Sequence, residues 1–342
     1  MKLILSCFYF LLLKLNEISI RLGFKKQFSF LSFVISVGNL TAGGAGKTPM
    51  IVYLSELLSK NNTSHAIISR GYKKNNRHTF IVSNTQAVLS SVEEAGDEPF
   101  LLAKRLAGVP VVVGEKKTAL DIAYNNFNNS VSLLDDGFQS HSILKNFNIL
   151  LVDLSLNINN YRLLPVGLLR EPLGRAKNAD LIIFTKCNYA SPDSKKIKRL
   201  VLSNSSLSTS FIFDSAFIPS LKKYSFRNRQ FISFNQKITS PCVAFSGIAH
   251  SDIFRKNLSL FCENTFQYIA FSDHQVYNKK DIQKIKKSLS QIQSQTIITT
   301  IKDFYKIIAV FNTCEVFVVA VEHKLKKEEQ FQRSFLQKVL VS

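Results

Sequence analysis

The sequence predicts an α/β fold: a mainly parallel sheet with helices on both faces, plus a smaller C-terminal α/β domain. Three observations predict it. First, an apolar run, LSFVISVG (31–38), leads into a glycine loop, NLTAGGAGKTP, and then into MIVYLSELLSK, whose Ile51, Leu54, Leu57 and Leu58 recur at helical spacing. Second, short apolar runs that end in polar residues repeat along the chain, as strands buried on both faces do. Third, 342 residues with 46% hydrophobic and 20% charged content supply one large core or two ordinary ones and exclude a disordered chain.

From the N-terminus, residues 3–13 read LILSCFYFLLL between Lys2 and Lys14. Eleven apolar residues fall short of the about 20 that a spanning helix takes, and no A-x-A-like cleavage site follows. Ile18, Ile20, Leu22 and Phe24 continue the pattern among Arg21, Lys25 and Lys26. Residues 1–30 therefore read as a basic, apolar helix lying in a membrane interface. A buried core helix is the competing reading. Basic residues next to a bilayer favour its cytoplasmic face.

The run Thr41, Ala42, Gly43, Gly44, Ala45, Gly46, Lys47, Thr48 sits between strand and helix, where a P-loop belongs. Its glycines let backbone N–H groups curl around phosphate oxygens. Lys47 reaches the β- and γ-phosphates, Thr48 can ligate Mg²⁺, and the helix N-terminus favours an anion. Pro49 is tolerated there because first-turn amides lack helical partners. The usual pattern opens on Gly, where this chain has Thr41. With the strand and helix, the loop makes residues 31–218 a P-loop NTPase-like domain that binds ATP.

HAIISR (65–70), VPVVVG (109–114), VSLLDD (131–136), FNILLVD (147–153) and ADLIIFT (179–185) supply further strands. Functional residues of such sheets collect at strand C-terminal ends, which singles out Ser69, Arg70, Gly71, Tyr72, Asp135, Asp136 and Asp153. Residues 219–240 read as a linker or hairpin. CVAFSGI (242–248), TFQYIAF (265–271), TIITT (296–300) and VFVVAV (316–321) build a second α/β domain over 241–342.

Several groups are suited to chemistry. LLDDGFQ (133–139) ends a strand with Asp135 and Asp136, the place of an acidic Mg²⁺ holder beside a P-loop, or of a plain turn. In AGDEP (95–99), Asp97 suits a helix N-cap or a base that takes a hydroxyl proton. LLPVGLLREPLGR (163–175) carries Arg170, Glu171 and Arg175; arginine forks bind phosphate, and solvated loop charge is the alternative. FSDHQVY (271–277) places Asp273-His274 at a strand end, either structural or a proton-carrying pair. His250 is a weaker candidate, and His65, His78, His141 and His323 show no partner in sequence. In TIKDFYK (300–306), helix capping outranks nucleotide contact.

The net charge of +20 points to phosphate on nucleic acid, membrane or substrate. The basic residues are dispersed and no RRM, KH or zinc-finger pattern occurs, so no nucleic-acid partner is expected. Five cysteines without a CxxC pair argue against a disulfide framework or a zinc site.

The ordered set VGNLTAGGAGKTP (37–49), SRGY (69–72), GDEP (96–99), PVVVGEKK (110–117), LLDDGFQ, LLPVGLLREPLGR, FSGIAH (245–250), FSDH (271–274) and TIKD (300–303) resembles the tetraacyldisaccharide 4′-kinase family. Thr41 matches that family's own loop. The resemblance implies an enzyme on the cytoplasmic face of the inner membrane. It implies transfer of the ATP γ-phosphate to the 4′-hydroxyl of a tetraacylated glucosamine disaccharide 1-phosphate, with Mg²⁺ and without an obligate protein partner. It implies Lys47 and Arg170 in phosphate stabilisation, Thr48, Asp135 and Asp136 at the metal, and Asp97 with His274 as catalytic dyad. Arg70, Tyr72, Gln139 and Glu171 fall on the substrate side. Ser140, His141 and Ser142, Ser272 and Ile301 depart from the family's usual residues, at positions that concern sugar and acyl recognition. A partner-regulating membrane ATPase is the alternative; such proteins often carry Lys where this chain has Ala42.

Overall fold

The computed structural model describes residues 1–71, 78–249, 251–264 and 266–340. The chain divides into one unit of Met1–Phe217 with His323–Ser342 and a second of Ile218–Glu322. The first unit runs α1 (Lys2–Arg21), β1 (Phe33–Asn39), α2 (Lys47–Lys60), β2 (His65–Ser69), β3 (Phe80–Ser83), α3 (Val92–Ala95), α4 (Asp97–Arg105), β4 (Val111–Val113), α5 (Lys116–Phe127), β5 (Val131–Asp135), β6 (Phe147–Asp153), β7 (Leu181–Thr185), α6 (Ser194–Leu202) and the start of β8 (Ile212–Ser225). Its strands lie in the order β8-β7-β6-β1-β5-β2-β4-β3. All these pairings are parallel except that of β3 with β4.

This order positions the site. β1 pairs with β5 on one side and β6 on the other, with Val37 opposite Asp135 and Asn39 opposite Leu151. The glycine loop and the Asp-Asp-Gly turn therefore leave the C-terminal ends of adjacent strands, at the point where the chain switches sides of the sheet. Gly38 is required there, because a Cβ would come within 2.5 Å of the Phe138 Cβ. The sheet is filled from both faces: Ile35 and Val37 pack with Ile51 and Leu54 of α2, and Val34 and Ile68 with Leu120 of α5.

The second unit holds the rest of β8, then β9 (Gln230–Ser233), β10 (Cys242–Ser246), α7 (Ser251–Phe261), β11 (Phe266–Ala270), α8 (Lys279–Gln291), β12 (Thr296–Thr300), α9 (Ile301–Ile307) and β13 (Glu315–Leu325) up to Glu322, the strand's last three residues belonging to the first unit. Its parallel order is β11-β10-β12-β13, and residues 222–225 pair antiparallel with β9. Phe304 of α9 anchors its core beneath Tyr224 and Phe231, with ring centroids 4.6 and 4.8 Å away. The Thr300 hydroxyl accepts from the Asp303 amide, which is the capping expected for TIKD.

Two sequence expectations change. The chain end does not stay with the second domain: α10 (Glu328–Leu340) belongs to the first unit, where the fully buried Phe331 and Phe335 join the core around Phe147 and Phe213. Its apolar spacing carries no mark of which core it fills. The N-terminal helix is also shorter than the expected residues 1–30, since α1 ends at Arg21, yet it reaches further than the eleven-residue apolar run that falls short of a span. Its Lys2–Ile20 stretch is long and apolar enough to cross a membrane by length and composition.

That helix is not a core helix. Leu3, Ile4, Phe8, Leu11, Leu12 and Leu15 are all about half exposed or more. The side facing the protein carries Ser6, Tyr9, Leu13, Asn16, Glu17 and Ile20, at helical spacing. The Ser6 hydroxyl donates to the Leu163 carbonyl at 3.2 Å and the Tyr9 hydroxyl to the Arg170 carbonyl at 2.8 Å. A helix that binds protein largely through polar groups and shows apolar side chains outward has the amphipathy of a membrane-seated element.

Candidate active site

The glycine loop closes around one asparagine. Asn39, the last residue of β1, donates to the Thr41 carbonyl at 2.6 Å and accepts from Lys47 Nζ at 3.0 Å. Its carbonyl takes a 2.6 Å bond from Gln139 Nε2. Gly46 turns the chain into α2 at φ +92°, and a Cβ there would lie 2.4 Å from the Phe217 ring. Only glycine meets both demands. The Thr185 hydroxyl holds the Ala45 carbonyl at 3.0 Å. The arginine loop is bound to the same turn: Ala42 N–H donates to Leu168 O at 2.6 Å and Arg170 N–H to Leu40 O at 2.7 Å.

Arg170 closes the site from that side. Its fork donates twice to Asp136, both bonds 2.9 Å, and once to Asn39 Oδ1 at 2.9 Å. Lys47 Nζ is 3.5 Å from Asp136 Oδ1. Two cations thus meet over one carboxylate at the loop mouth. Burial alone would raise the Asp136 carboxyl, but the bonds from Arg170, with Lys47, hold it far below the usual carboxylate range. Asp135 behaves oppositely: burial, then the Glu98 carboxylate, lifts it to about 6. Such divergence between neighbouring carboxyls marks working sites.

The remaining sequence candidates fall in several places. Asp97 opens α4 but does not cap it; Gly96 occupies the N-cap at φ +87°. The capping expectation at Asp97 is thereby corrected. The side-chain capping box next to it belongs to Ser91 and Glu94 of α3. His274 lies in the second unit at φ +55°, with its amide on the Gly247 carbonyl. Arg70 is exposed just past the end of β2. Glu171 is buried and engaged with His141 Nε2 at 2.8 Å and Arg175 Nε at 3.5 Å, so it acts on those two side chains. Tyr72 and His250 lie outside the described residues.

The tetraacyldisaccharide-1-P 4′-kinase profile matches residues 1–340. The chain belongs to that family. A tetraacyldisaccharide 4′-kinase of Desulfotalea psychrophila is 36% identical over 309 residues, 89% of this chain and 86% of that one. One of Geobacter metallireducens is 32% identical over 320 residues, 93% and 91% of the two chains. The crystal structure of an "apo" form of LpxK from Aquifex aeolicus in complex with ATP matches with a TM-score of 0.73 and 28% identity, covering 98% of each chain. The family resemblance carried by the ordered motifs holds, as does the α/β fold expected from the loop and strands.

For the kinase family's phosphoryl chemistry, the residues present fit a magnesium ion. Asp135 Oδ1 is buried without a hydrogen-bond partner, while Ser69 donates to Oδ2 at 3.1 Å. Thr48 supplies a hydroxyl in the first turn of α2. Asp136, expected beside Asp135 as a ligand, has both oxygens engaged by Arg170. Among the described residues no set of three or more His, Cys, Asp or Glu forms a metal cage. Mg²⁺ needs none, since it binds through one or two protein oxygens plus phosphate and water.

Four site residues escaped the sequence reading. Asn39 ends β1 and opens the glycine loop without a role of its own in the loop pattern, and Glu98 stands beside a more prominent Asp97. Lys116 bonds the Asp136 carbonyl and Ser140, and burial presses its ammonium down to about 8. His323 comes from β13, distant in sequence, and props the loop from behind. The Gly46 carbonyl can only accept, so His323 Nε2 donates to it at 2.9 Å and Nδ1 takes the Ser215 hydroxyl at 2.7 Å.

Burial lowers the His323 pKa to about 4 despite the Gly46 bond, with Lys186 lowering it further. The unfolded chain therefore takes the proton first. The stability this imidazole confers is complete above its ordinary value of 6.5 and is lost as pH falls towards 4. His323→Phe keeps a ring but strands the Gly46 carbonyl, at a cost of about 1–3 kcal/mol at neutral pH, and removes this acid-side loss. Thermal unfolding from pH 4 to 7 measures both; midpoints that track the unsubstituted protein throughout would contradict the prop.

Proposed function

We propose that this protein transfers the γ-phosphoryl group of ATP to the 4′-hydroxyl of a tetraacylated glucosamine disaccharide 1-phosphate, giving lipid IVA. The observation that carries the reading is the convergence of Lys47 and Arg170 on Asp136 and Asn39 at the loop mouth, in a chain of this family. Phosphoryl transfer is mostly positioning and charge stabilisation. Lys47 and the first-turn amides of α2 neutralise charge on the γ-phosphoryl oxygens. Arg170, held in place by Asp136 and Asn39, keeps its positive charge at the loop mouth for phosphate. Thr48 and Asp135 would hold Mg²⁺, which when bound would add positive charge beside the phosphate oxygens. Asp97 accepts the sugar hydroxyl proton, the step to which the family's motifs also assign His274. Arg70, Tyr72 and Gln139 are assigned to the acceptor by their places in the family's motifs. ADP release that begins only on adding the acceptor tests this; ATP hydrolysis indifferent to it would favour the partner-regulating ATPase.

The acceptor is a lipid, and the outward face of α1 suits the surface that carries it, at the cytoplasmic face of the inner membrane. Exposed apolar side chains on α1 gain about 1.5–3 kcal/mol each when they leave water. Phe8→Asp with Leu12→Asp is expected to weaken vesicle binding by more than about 100-fold, with little change in folding because both side chains point outward. Sedimentation with vesicles measures it, and unchanged binding would exclude α1 as the membrane element.

A further inference from the structure

A cavity of about 530 Å³ opens at the C-terminal foot of α1, within the first unit. Three cations line it: Lys145 from the loop after DDGFQ, and Arg175 and Lys177 from the 3-10 turn Leu173–Asn178. Glu17 is the one carboxylate among its lining residues. Ile20, Phe138 and Leu144 add apolar surface, and Leu144 is 47% exposed. None of the three cations takes part in the network of Lys47, Arg170 and Asp136.

One lining carboxylate, Glu17, stands against the three cations. Lys145 reaches the Phe138 carbonyl only at 3.5 Å. Burial, then Lys116, press its ammonium down to about 8, with Glu171 opposing and Arg175 adding to the effect. Arg175 stands 3.8 Å from Glu17 and 3.5 Å from Glu171, contacts longer than a good charge-assisted bond. A half-buried ammonium beside further cations is favoured by the arrival of an anion. A phosphate suits three converging cations, and the apolar wall beside it suits the first methylenes of an attached chain.

We propose that this cavity binds a phosphate ester borne on a lipid head group, at a site separate from the nucleotide phosphates. The inference rests on the reading that α1 lies on a membrane and that the acceptor is a phosphorylated lipid. Two sources share the chemistry: the 1-phosphate of the acceptor itself, and the phosphodiester of a bilayer phospholipid.

The test uses the full chain with Lys145→Gln and Arg175→Gln combined, and separately Lys177→Gln, whose exposed side chain does not threaten the fold. Lys60→Gln, an exposed residue at the end of α2, is the charge-matched control. One arm measures sedimentation with phosphatidylcholine vesicles, with and without phosphatidylglycerol. The other measures kcat/KM for the acceptor against the same lipid lacking its 1-phosphate, in detergent micelles. Loss of the phosphatidylglycerol increment, roughly fivefold per cation removed, with Lys60→Gln unaffected, assigns the cavity to a bilayer lipid. Loss of the preference for the 1-phosphate, on the same scale, assigns it to the acceptor. Variants that retain both responses overturn the proposal, as does a wild type that shows neither. Should the wild type phosphorylate no acceptor at all, the proposed reaction fails, and the vesicle arm still decides the cavity.

Discussion

Asp97→Asn is expected to lower turnover by about 10²–10⁴-fold, the usual worth of a positioned base, while ATP binding survives. Asn keeps the shape of the side chain, and α4 does not depend on it for capping, because Gly96 is the N-cap and supplies the φ of +87°. The helix should therefore persist, and the loss should fall on kcat. Glu98→Gln is the informative comparison. Glu98 acts on Asp135, whose carboxyl it helps lift to about 6; removing its charge should let Asp135 ionise more readily without abolishing proton transfer. His274→Ala should reproduce much of the Asp97→Asn loss, and the double variant should lose little more, because groups that act as a unit are not additive. Turnover of Asp97→Asn near that of the unsubstituted protein would remove Asp97 from the base role.

Arg170→Ala is expected to cost about 10²–10³-fold in kcat, the scale for losing one preorganised donor at a developing charge. It also strips Asp136 of both its fork bonds and leaves a largely buried carboxylate beside Lys47 and Lys116. Removing one partner of a fully buried pair typically destabilises by about 3–5 kcal/mol; this pair is partly exposed and Lys47 stays beside Asp136, so a loss of about 1–3 kcal/mol is expected. Arg170→Lys should restore charge without the planar fork and recover little of the rate. Combining Arg170→Ala with Asp136→Asn separates the two effects: stability should return while the rate does not. If the rate returns with the stability, Arg170 serves Asp136 and not the phosphate.

Much of this was legible in the sequence because it is local. A strand, a glycine loop and a helix in succession announce a phosphate cradle, and Lys47 and Thr48 occupy fixed places in it. Asp135 and Asp136 end a strand, so their arrival beside the loop follows from parallel strand topology. The division of labour between them did not follow. Asp136 adopts φ +49° and turns to Arg170, while Asp135 stays in the sheet with one free buried oxygen. That split depends on a loop 34 residues further on. The His323–Gly46 bond spans 277 residues, and no local pattern signals it. Phe331 and Phe335 fill the first core from the far end of the chain for the same reason. The N-terminal helix stops at Arg21, short of the expected residue 30, while Lys14 and Glu17, which interrupt its apolar run, form an ion pair at 3.1 Å and leave the helix continuous.

The positive charge has a sharper meaning in the structure. Lys47 and Arg170 stand at the loop mouth, and Lys145, Arg175 and Lys177 line a second cavity at the foot of α1. These are two separate cationic places, both in the first unit, suited to two different phosphates.

The most direct measurement is the destination of the phosphoryl group. The full chain is incubated with γ-labelled ATP, Mg²⁺ and the tetraacylated disaccharide 1-phosphate, and the lipid is isolated and its phosphate positions determined. The predicted result is label on the lipid at the 4′-hydroxyl, lost in Asp97→Asn and in Arg170→Ala. Label released only as inorganic phosphate, with the lipid unlabelled while ATP is bound and consumed, would contradict the assignment of this site to a lipid kinase.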